Sequence, residues 1–194
     1  LDLWFRDTAI GYAIGAYGLF LTTTDGGNSW DDAVILDESG LATDLHLNQL
    51  QSFADQRLVI AGESGHVFLS ADGRQWRPLP LPYEGSMFGT LPLAGDRLLA
   101  YGLRGHLFRS EDAGRSWQPA VTATEAILND AIQLRDGRIV VVGLGGTVLV
   151  SGDGGGHFTA KSLAERTGLA RVIETADGAL VLLAVTGHLR VTQN

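Results

Sequence analysis

The chain has 194 residues, of which 45% are hydrophobic and 19% are charged, so it can bury a folded core. Lys and Arg number 14 against 22 Asp and Glu, and the net charge of −8 disfavours nucleic acid and anionic membrane surfaces as partners. There are no cysteines, which excludes disulfides, thiolate nucleophiles and Cys-ligated zinc. No apolar run is long enough to span a bilayer and no signal peptide is visible, so we expect no transmembrane segment.

Four segments of the chain repeat one pattern, in which an aspartate follows Ser or Thr by two residues and precedes glycine and an aromatic residue. The segments are 23–30, 70–76, 110–117 and 151–158, and their aspartates are 47, 40 and 41 residues apart. A glycine pair, Gly-x-x-Gly or a variant, lies upstream of each segment, and a fifth such pair is Ala184 with Gly187. Self-similarity at this spacing indicates a repeat architecture.

Short strand-like runs lie between these landmarks, and no stretch has a convincing helical period. In chain order, the predicted units cover residues 1–36, 45–82, 86–121 and 126–163, with a partial unit at 168–194. The three middle units give the clearest strands, predicted at 50–53, 57–62 and 65–70, at 88–93, 97–102 and 105–110, and at 131–134, 138–143 and 146–151. The aromatic residue of each Asp segment is predicted to open a fourth strand.

A unit of about 41 residues with four short antiparallel strands has the length and strand count of a β-propeller blade. A single blade cannot bury both of its faces, whereas stacked blades can. Parallel β-helix coils are shorter, and a β-sandwich does not repeat at this spacing. The sequence therefore predicts an all-β propeller domain, or a fragment of one, with four full blades and three strands of a fifth.

The repeated Asp segments have a structural explanation. The aspartate can accept backbone N–H hydrogen bonds in its own turn, and glycine permits the positive φ that such a turn needs. The aromatic residue adds apolar area to the packing of the blade. We therefore interpret eight repeated residues as structural: Asp25, Trp30, Asp72, Trp76, Asp112, Trp117, Asp153 and Phe158.

The pattern Ser/Thr-x-Asp-x-Gly-x-Ser/Thr-Trp resembles the Asp-box, or BNR repeat. Residues 23–30 and 110–117 match it fully, 151–158 match it loosely, and 70–76 are one residue short. Asp-boxes occur in sialidases, xyloglucanases, sortilin-type receptors and the photosystem II stability/assembly factor-like family. The stretch IGYAIGAYGLFLTTTDGGNSW, residues 10–30, looks most like the last of these. That family forms seven-bladed propellers, a number from which four full blades and a partial fifth depart.

The resemblance implies a non-catalytic, protein-binding scaffold in the periplasm or another extracytoplasmic compartment, without a cofactor. Its expected partner is a membrane protein complex or an assembly intermediate of one, which the scaffold helps to assemble or stabilise. A photosynthetic role does not follow, because non-photosynthetic relatives share the repeat. The alternative is a carbohydrate-active protein, a lectin or a sialidase-like or other glycoside hydrolase, although the Arg-Ile-Pro motif of sialidases is absent.

Three histidines share one repeat position at the start of the third strand: His66, His106 and His188. In a propeller the third strands lie well away from the axis, so these side chains should be more than about 10 Å apart, given the spacing of packed sheets. Ligating nitrogens lie about 2 Å from a zinc ion. We therefore expect no metal site.

The connectors between blades, at 37–46, 80–87, 120–125 and 160–168, are irregular, and they are predicted to share one face with the turns between second and third strands. Uneven loops on a rigid scaffold are common binding surfaces. The predicted partner-binding residues are Tyr17, His46, Glu63, Tyr83, Glu84, Arg104 and Arg166. One first-strand position varies in character among apolar neighbours, and its residues are predicted to line a central channel: Asp2, Gln49, Asp130 and Arg171.

Overall fold

The computed structural model describes residues 2–36 and 40–192. Part of the predicted connector 37–46, residues 37–39, lies outside the described residues, as do residues 1, 193 and 194 of the first and last predicted blades. Within the described part of the chain, no helix is long and apolar enough to cross a membrane.

The strands follow one another along the chain in five groups. The first group is β1 Asp2–Phe5, β2 Gly11–Ile14, β3 Phe20–Thr23 and β4 Asp31–Asp32. The second is β5 Leu47–Ser52, β6 Leu58–Gly62, β7 Val67–Ser70 and β8 Trp76–Pro78. The third is β9 Met87–Pro92, β10 Leu98–Gly102, β11 Leu107–Ser110 and β12 Gln118–Pro119. The fourth is β13 Leu128–Gln133, β14 Ile139–Gly143, β15 Thr147–Ser151 and β16 Thr159–Ser162, and the fifth is β17 Leu169–Glu174, β18 Leu180–Ala184 and β19 Gly187–Val191.

Within residues 2–36 and 40–192, each group forms one sheet in which neighbours in sequence are neighbours in space, so four sheets have four strands and the fifth has three. The predicted all-β fold, with four full blades and a partial fifth, is confirmed. Strands β5 and β13 begin three residues earlier than predicted, at Leu47 and Leu128. A β-bulge lies at Asn48 in β5 and another lies at Asn129 in β13. Strand pairing continues on both sides of these polar residues, which interrupt the apolar sequence pattern.

The chain divides into two compact units, the first consisting of Leu1–Leu98 with Ser110–Trp117 and the second of Leu99–Arg109 with Gln118–Asn194. The apolar core of each unit lies between facing blades. In the first unit, Tyr12 and Phe20 of the first blade cluster with Ile60 of the second. In the second unit, Val142 of the fourth blade clusters with Leu182 of the fifth. The second strands supply much of this core, because β6, β10 and β14 are runs of β-branched and other apolar residues buried along their whole length.

Candidate protein-binding surface

The turns between the second and third strands of the first unit have positive φ at both central residues. The angles are 55° at Tyr17 and 70° at Gly18 in the first blade, and 54° at Ser64 and 74° at Gly65 in the second. In both turns the residue after the turn donates its N–H to the carbonyl before it, at 3.1 Å. These features define type I′ hairpin turns, whose first position favours Asn, Asp or Gly. A tyrosine or serine there carries the cost of the left-handed conformation.

Each of these turns lies against the backbone of the connector that leads to the next blade. A Cβ atom at Gly18 would lie 2.0 Å from the Thr43 carbonyl oxygen, and one at Gly65 would lie 1.8 Å from the Tyr83 carbonyl oxygen. Only glycine permits backbones to approach this closely. The turn is thus held through its second position, and the side chain at the first position is left exposed.

Contacts across this interface join Tyr17 to the second blade. The Tyr17 and His46 rings lie 4.8 Å apart at 75°, an edge-to-face arrangement. The His46 N–H donates to Oε1 of Glu63 at 2.8 Å, and the Glu63 N–H donates to the His46 carbonyl at 3.0 Å. Tyr17 remains 81% exposed. Three of the predicted partner-binding residues therefore form one continuous surface.

Tyr83 and Glu84 lie at the Ser64–Gly65 turn, next to Glu63. Together with that turn they line a cleft of about 200 Å³, whose remaining walls are His66, Phe68 and the segment 78–81. Tyr83 is half-buried and Glu84 is exposed. The structure thus brings five predicted residues of the first unit to one surface, the connector patch, which consists of Tyr17, His46, Glu63, Tyr83 and Glu84.

Arg104 and Arg166 belong to the second unit and not to the connector patch. Arg104, with φ 56°, holds the first central position of a type I′ turn, and a Cβ at the following Gly105 would lie 2.0 Å from the Thr124 carbonyl oxygen. Arg166 has φ 48° and lies in the connector before the fifth blade. Its Cα is 3.1 Å from the position of a Cβ at Gly146. Both arginine side chains are exposed at turns held by backbone contacts.

The Asp segments form the turns at the end of the blades opposite the turns between the second and third strands. The hydrogen bonds that hold Asp25 and Asp112 are alike. Oδ1 of Asp25 accepts the Ser29 N–H at 2.9 Å and Oδ2 accepts the Ser29 hydroxyl at 2.6 Å. Ser116 donates to Asp112 in the same way, at 2.8 and 2.7 Å. These bonds, with the serine hydroxyl contributing most, lower the pKa of each carboxyl to about 2.

The other two Asp segments vary this arrangement. Asp72 accepts the N–H groups of Arg74 and Gln75, which lower its pKa. Oδ2 of Asp153 accepts from Nδ1 of His157 at 2.7 Å, where Oδ2 of Asp25 and of Asp112 accepts a serine hydroxyl, and this contact contributes most to holding the pKa of Asp153 well below the usual range. Of the four aromatic residues, Trp30, Trp76 and Trp117 are half-buried and Phe158 is 6% exposed.

The residues predicted to line a channel lie where first strands of neighbouring blades meet. Oδ2 of Asp2 accepts the Leu50 N–H at 3.0 Å, and Oε1 of the buried Gln49 accepts the Thr90 N–H at 2.8 Å. In the second unit, Oδ2 of Asp130 accepts the Val172 N–H at 2.9 Å, and Arg171 donates to its Oδ1 at 3.2 Å. Burial raises the pKa of Asp130, against the opposing effect of these donors. The channel-lining role itself stays a prediction.

Sequence analysis did not identify the two bulge residues that complete these junctions. The Asn48 amide donates to the Met87 carbonyl at 2.9 Å, and the Asn129 amide donates to the Leu169 carbonyl at 2.8 Å. A signal was available, since each asparagine directly precedes a residue of the variable first-strand position. Ser64 was also missed, although it holds the turn position of Tyr17 and Arg104.

No metal-binding cluster accompanies these surfaces. Across residues 2–36 and 40–192, no group of three or more His, Asp and Glu side chains is placed to hold a metal ion. The cleft beside the connector patch has one carboxylate in its lining, Glu84. Glycoside hydrolysis needs a pair of carboxylates flanking the bond.

Repeated four-stranded antiparallel blades with Asp-box turns at one end and glycine-held turns at the other define a β-propeller. The chain belongs to the photosynthesis system II assembly factor YCF48 family, whose family model matches residues 1–146. No sequence among curated proteins matches the chain at a significant level.

Solved structures agree on the fold. YCF48 bound to a D1 peptide is similar with a TM-score of 0.74 and 22% identity, over 95% of this chain and 60% of that one. YCF48 from Cyanidioschyzon merolae is similar with a TM-score of 0.75 and 18% identity, over 100% of this chain and 67% of that one. A catalytically inactive virginiamycin B lyase from Staphylococcus aureus is similar with a TM-score of 0.70 and 12% identity, over 98% and 69%. Since this fold also supports a lyase, fold alone does not assign a function.

Proposed function

We propose that this chain is a non-catalytic, protein-binding scaffold that acts outside the cytoplasm in the assembly or stability of a membrane protein complex. Membership of the YCF48 assembly factor family supports the role in assembly. A similar structure, YCF48, is bound to a D1 peptide, which supports a protein as the class of partner.

The observation that carries the proposal is the connector patch. An 81% exposed tyrosine is held in a strained backbone conformation, over a histidine that is itself tied to Glu63. Strain of this kind persists only where the surrounding structure fixes it, and it concentrates at functional sites. Exposed aromatic residues beside polar groups are typical of protein interfaces. A partner segment could lie across Tyr17 and reach the cleft beside Tyr83 and Glu84.

Site-specific photo-cross-linking tests this surface. The photoreactive residue p-benzoylphenylalanine is placed at position 17 or 83, and the protein is incubated with native membranes before the adducts are identified by mass spectrometry. The matched control places the same residue at position 28, because Asn28 is exposed in the Asp segment of the same unit. We expect one membrane complex to be enriched from positions 17 and 83 and not from position 28.

A charge reversal supplies the second readout. Glu84→Arg should reduce the cross-linked yield at position 17 without changing the thermal stability, because Glu84 is exposed. Equal yields from positions 17, 83 and 28, or no enriched protein, would overturn the proposal. Binding and turnover of a glycan by the same protein would then favour the carbohydrate-active alternative.

A further inference from the structure

A second cleft in the first unit lies at the end of the blades opposite the connector patch. It has a volume of about 360 Å³ and lies between the first blade and the Asp segment of the second. Its walls carry Arg6, Thr22, Thr24, Asp72 and Arg74, over a floor that includes Tyr12. Clefts of this size accommodate small molecules. The Asp segment at its edge, residues 70–76, is one residue shorter than the other three.

Arg6 is incompletely satisfied in this cleft. Its Nε is buried and has no hydrogen-bond partner. One terminal nitrogen donates to the Asp72 carbonyl at the long distance of 3.4 Å, and the guanidinium lies 6.0 Å from the centre of the Tyr12 ring. A half-buried guanidinium normally meets a carboxylate or several carbonyls, since unmade hydrogen bonds cost free energy.

The two arginines of the cleft have no carboxylate in contact, and Arg74 is exposed to solvent. Neither Arg6 nor Arg74 has a carboxylate within 4.0 Å among residues 2–36 and 40–192, whereas Arg57 of the same unit is paired with Asp55 at 2.8 Å and with Asp96 at 2.7 Å. Thr22 and Thr24 line the same cleft.

The nearby carboxylates of Asp7 and Asp72 do not contact these guanidinium groups directly, and each is held through Oδ1 by its own turn. Asp72 accepts the Ser70 hydroxyl at 3.2 Å and two N–H groups of its segment. Asp7 accepts the N–H groups of Ala9 and Ile10, each at 2.8 Å. The cleft therefore presents two guanidinium groups without a carboxylate in direct contact, and an added oxyanion would complete their hydrogen bonding.

We propose that this cleft binds a small oxyanion, a phosphate, sulfate or carboxylate group, through Arg6 and Arg74. The planar guanidinium fork matches the geometry of such groups. The Thr22 and Thr24 hydroxyls add neutral donors, and the Tyr12 ring supplies an apolar floor. This site is separate from the connector patch and does not depend on the proposed scaffold role.

Titration calorimetry of the 194-residue chain with sodium phosphate, and separately with sodium glucuronate, tests the site at low ionic strength. We expect saturable binding of at least one probe, together with a shift of the Arg6 Nε–H signal in the NMR spectrum. Arg6→Gln and Arg74→Gln should each weaken binding about tenfold, because charge-assisted hydrogen bonds are lost. Binding of phosphate alone indicates a phosphate or sulfate ligand, and binding of glucuronate alone indicates a carboxylate.

Arg97→Gln is the matched control, since Arg97 belongs to the same unit, donates to the Ala94 carbonyl and does not line the cleft. Its binding should equal that of the wild type. If Arg6→Gln does not fold, ligand binding by Arg74→Gln and Thr22→Val tests the site instead, because both substitutions leave the Arg6–Tyr12 contact in place. The proposal is overturned if neither probe binds, or if the cleft variants bind as well as Arg97→Gln.

Discussion

The two ends of the blades are stabilised by different means. At one end, an Asp side chain accepts hydrogen bonds from its own segment, as Asp25 does from Ser29. At the other end, the type I′ turns rest on connector backbone through a glycine, as Gly65 does on Tyr83. The turns at the first end are held by side-chain hydrogen bonds, so the same residue types recur there. The turns at the second end are held through backbone contacts at their second position, and their first position holds Tyr17, Ser64, Arg104 or Gly145.

This difference shows how a repeated scaffold can acquire specific contacts. Variation is tolerated where the side chain contributes little to the turn itself, and such positions on rigid elements are suited to recognition. Four changes test this account of the two ends and of the junctions between blades.

The largest effect is expected from Gly65→Ala. A Cβ would lie 1.8 Å from the Tyr83 carbonyl oxygen at a φ of +74°, so the connector must move, and we expect a loss of about 3 kcal/mol in the free energy of unfolding. Gly95→Ala is the control, since its φ is +70° but nothing lies within 4 Å, and it should cost about 1 kcal/mol. Urea denaturation measures both. Equal losses would mean that contact with the connector does not stabilise the turn.

Asp130→Ala tests a junction between blades in the second unit. It removes the buried acceptor of the Val172 N–H and the partner of Arg171, and we expect a loss of about 2 kcal/mol. Asp130→Asn retains an acceptor oxygen and should cost less. Asp136→Ala, an exposed carboxylate in the same unit, should change the urea midpoint little. An alanine variant as stable as wild type would show that the junction contributes no stability.

Acid should destabilise the turns that the Asp segments form. The pKa values of Asp25 and Asp112 are about 2 in the folded protein, below the ordinary value of 3.8. Their contribution is therefore complete above about pH 4 and is lost as the pH falls towards 2. The raised pKa of Asp130 acts in the opposite direction, because its contribution decreases as the pH rises above its ordinary value.

Asp25→Asn combined with Asp112→Asn isolates this effect. The double variant should be less stable than wild type at neutral pH, and its stability should decline less between about pH 4 and pH 2. Free energies of unfolding from urea titrations at a series of pH values measure the slope. Parallel pH profiles for the two proteins would contradict the assigned role of these carboxylates.

The smallest effect is expected from Ser64→Asn. Asn-Gly is favoured in type I′ turns, and asparagine adopts the φ of 54° found at this position more readily than serine. We expect a gain of about 0.5 kcal/mol by thermal denaturation. Ser64→Ala keeps the strain without this preference and serves as the comparison. If the alanine variant is the more stable of the two, the strain at this turn is not the controlling factor.

The fold could be predicted from the sequence because its signals are local and repeated. Glycine pairs, Asp segments and short apolar runs recur at nearly constant spacing, and each reports on its own turn or strand. The start of β5 was less predictable, because the bulge at Asn48 interrupts the apolar pattern while pairing continues. The partners of Gln49 and Asp130 depend on how neighbouring blades align, which a single sequence does not encode at short range. The contact between Tyr17 and His46 is likewise tertiary, since the two residues come from different blades.

The bulge asparagines link the stability of one blade to that of the blade that follows it. The Asn48 amide of the second blade donates to the first strand of the third blade, and the Asn129 amide of the fourth blade donates to the first strand of the fifth. Each such blade thus supplies part of its successor's hydrogen bonding, so stability is shared between neighbours as in a one-dimensional array. Loosening of one blade should appear in hydrogen exchange as reduced protection of the blade that follows it.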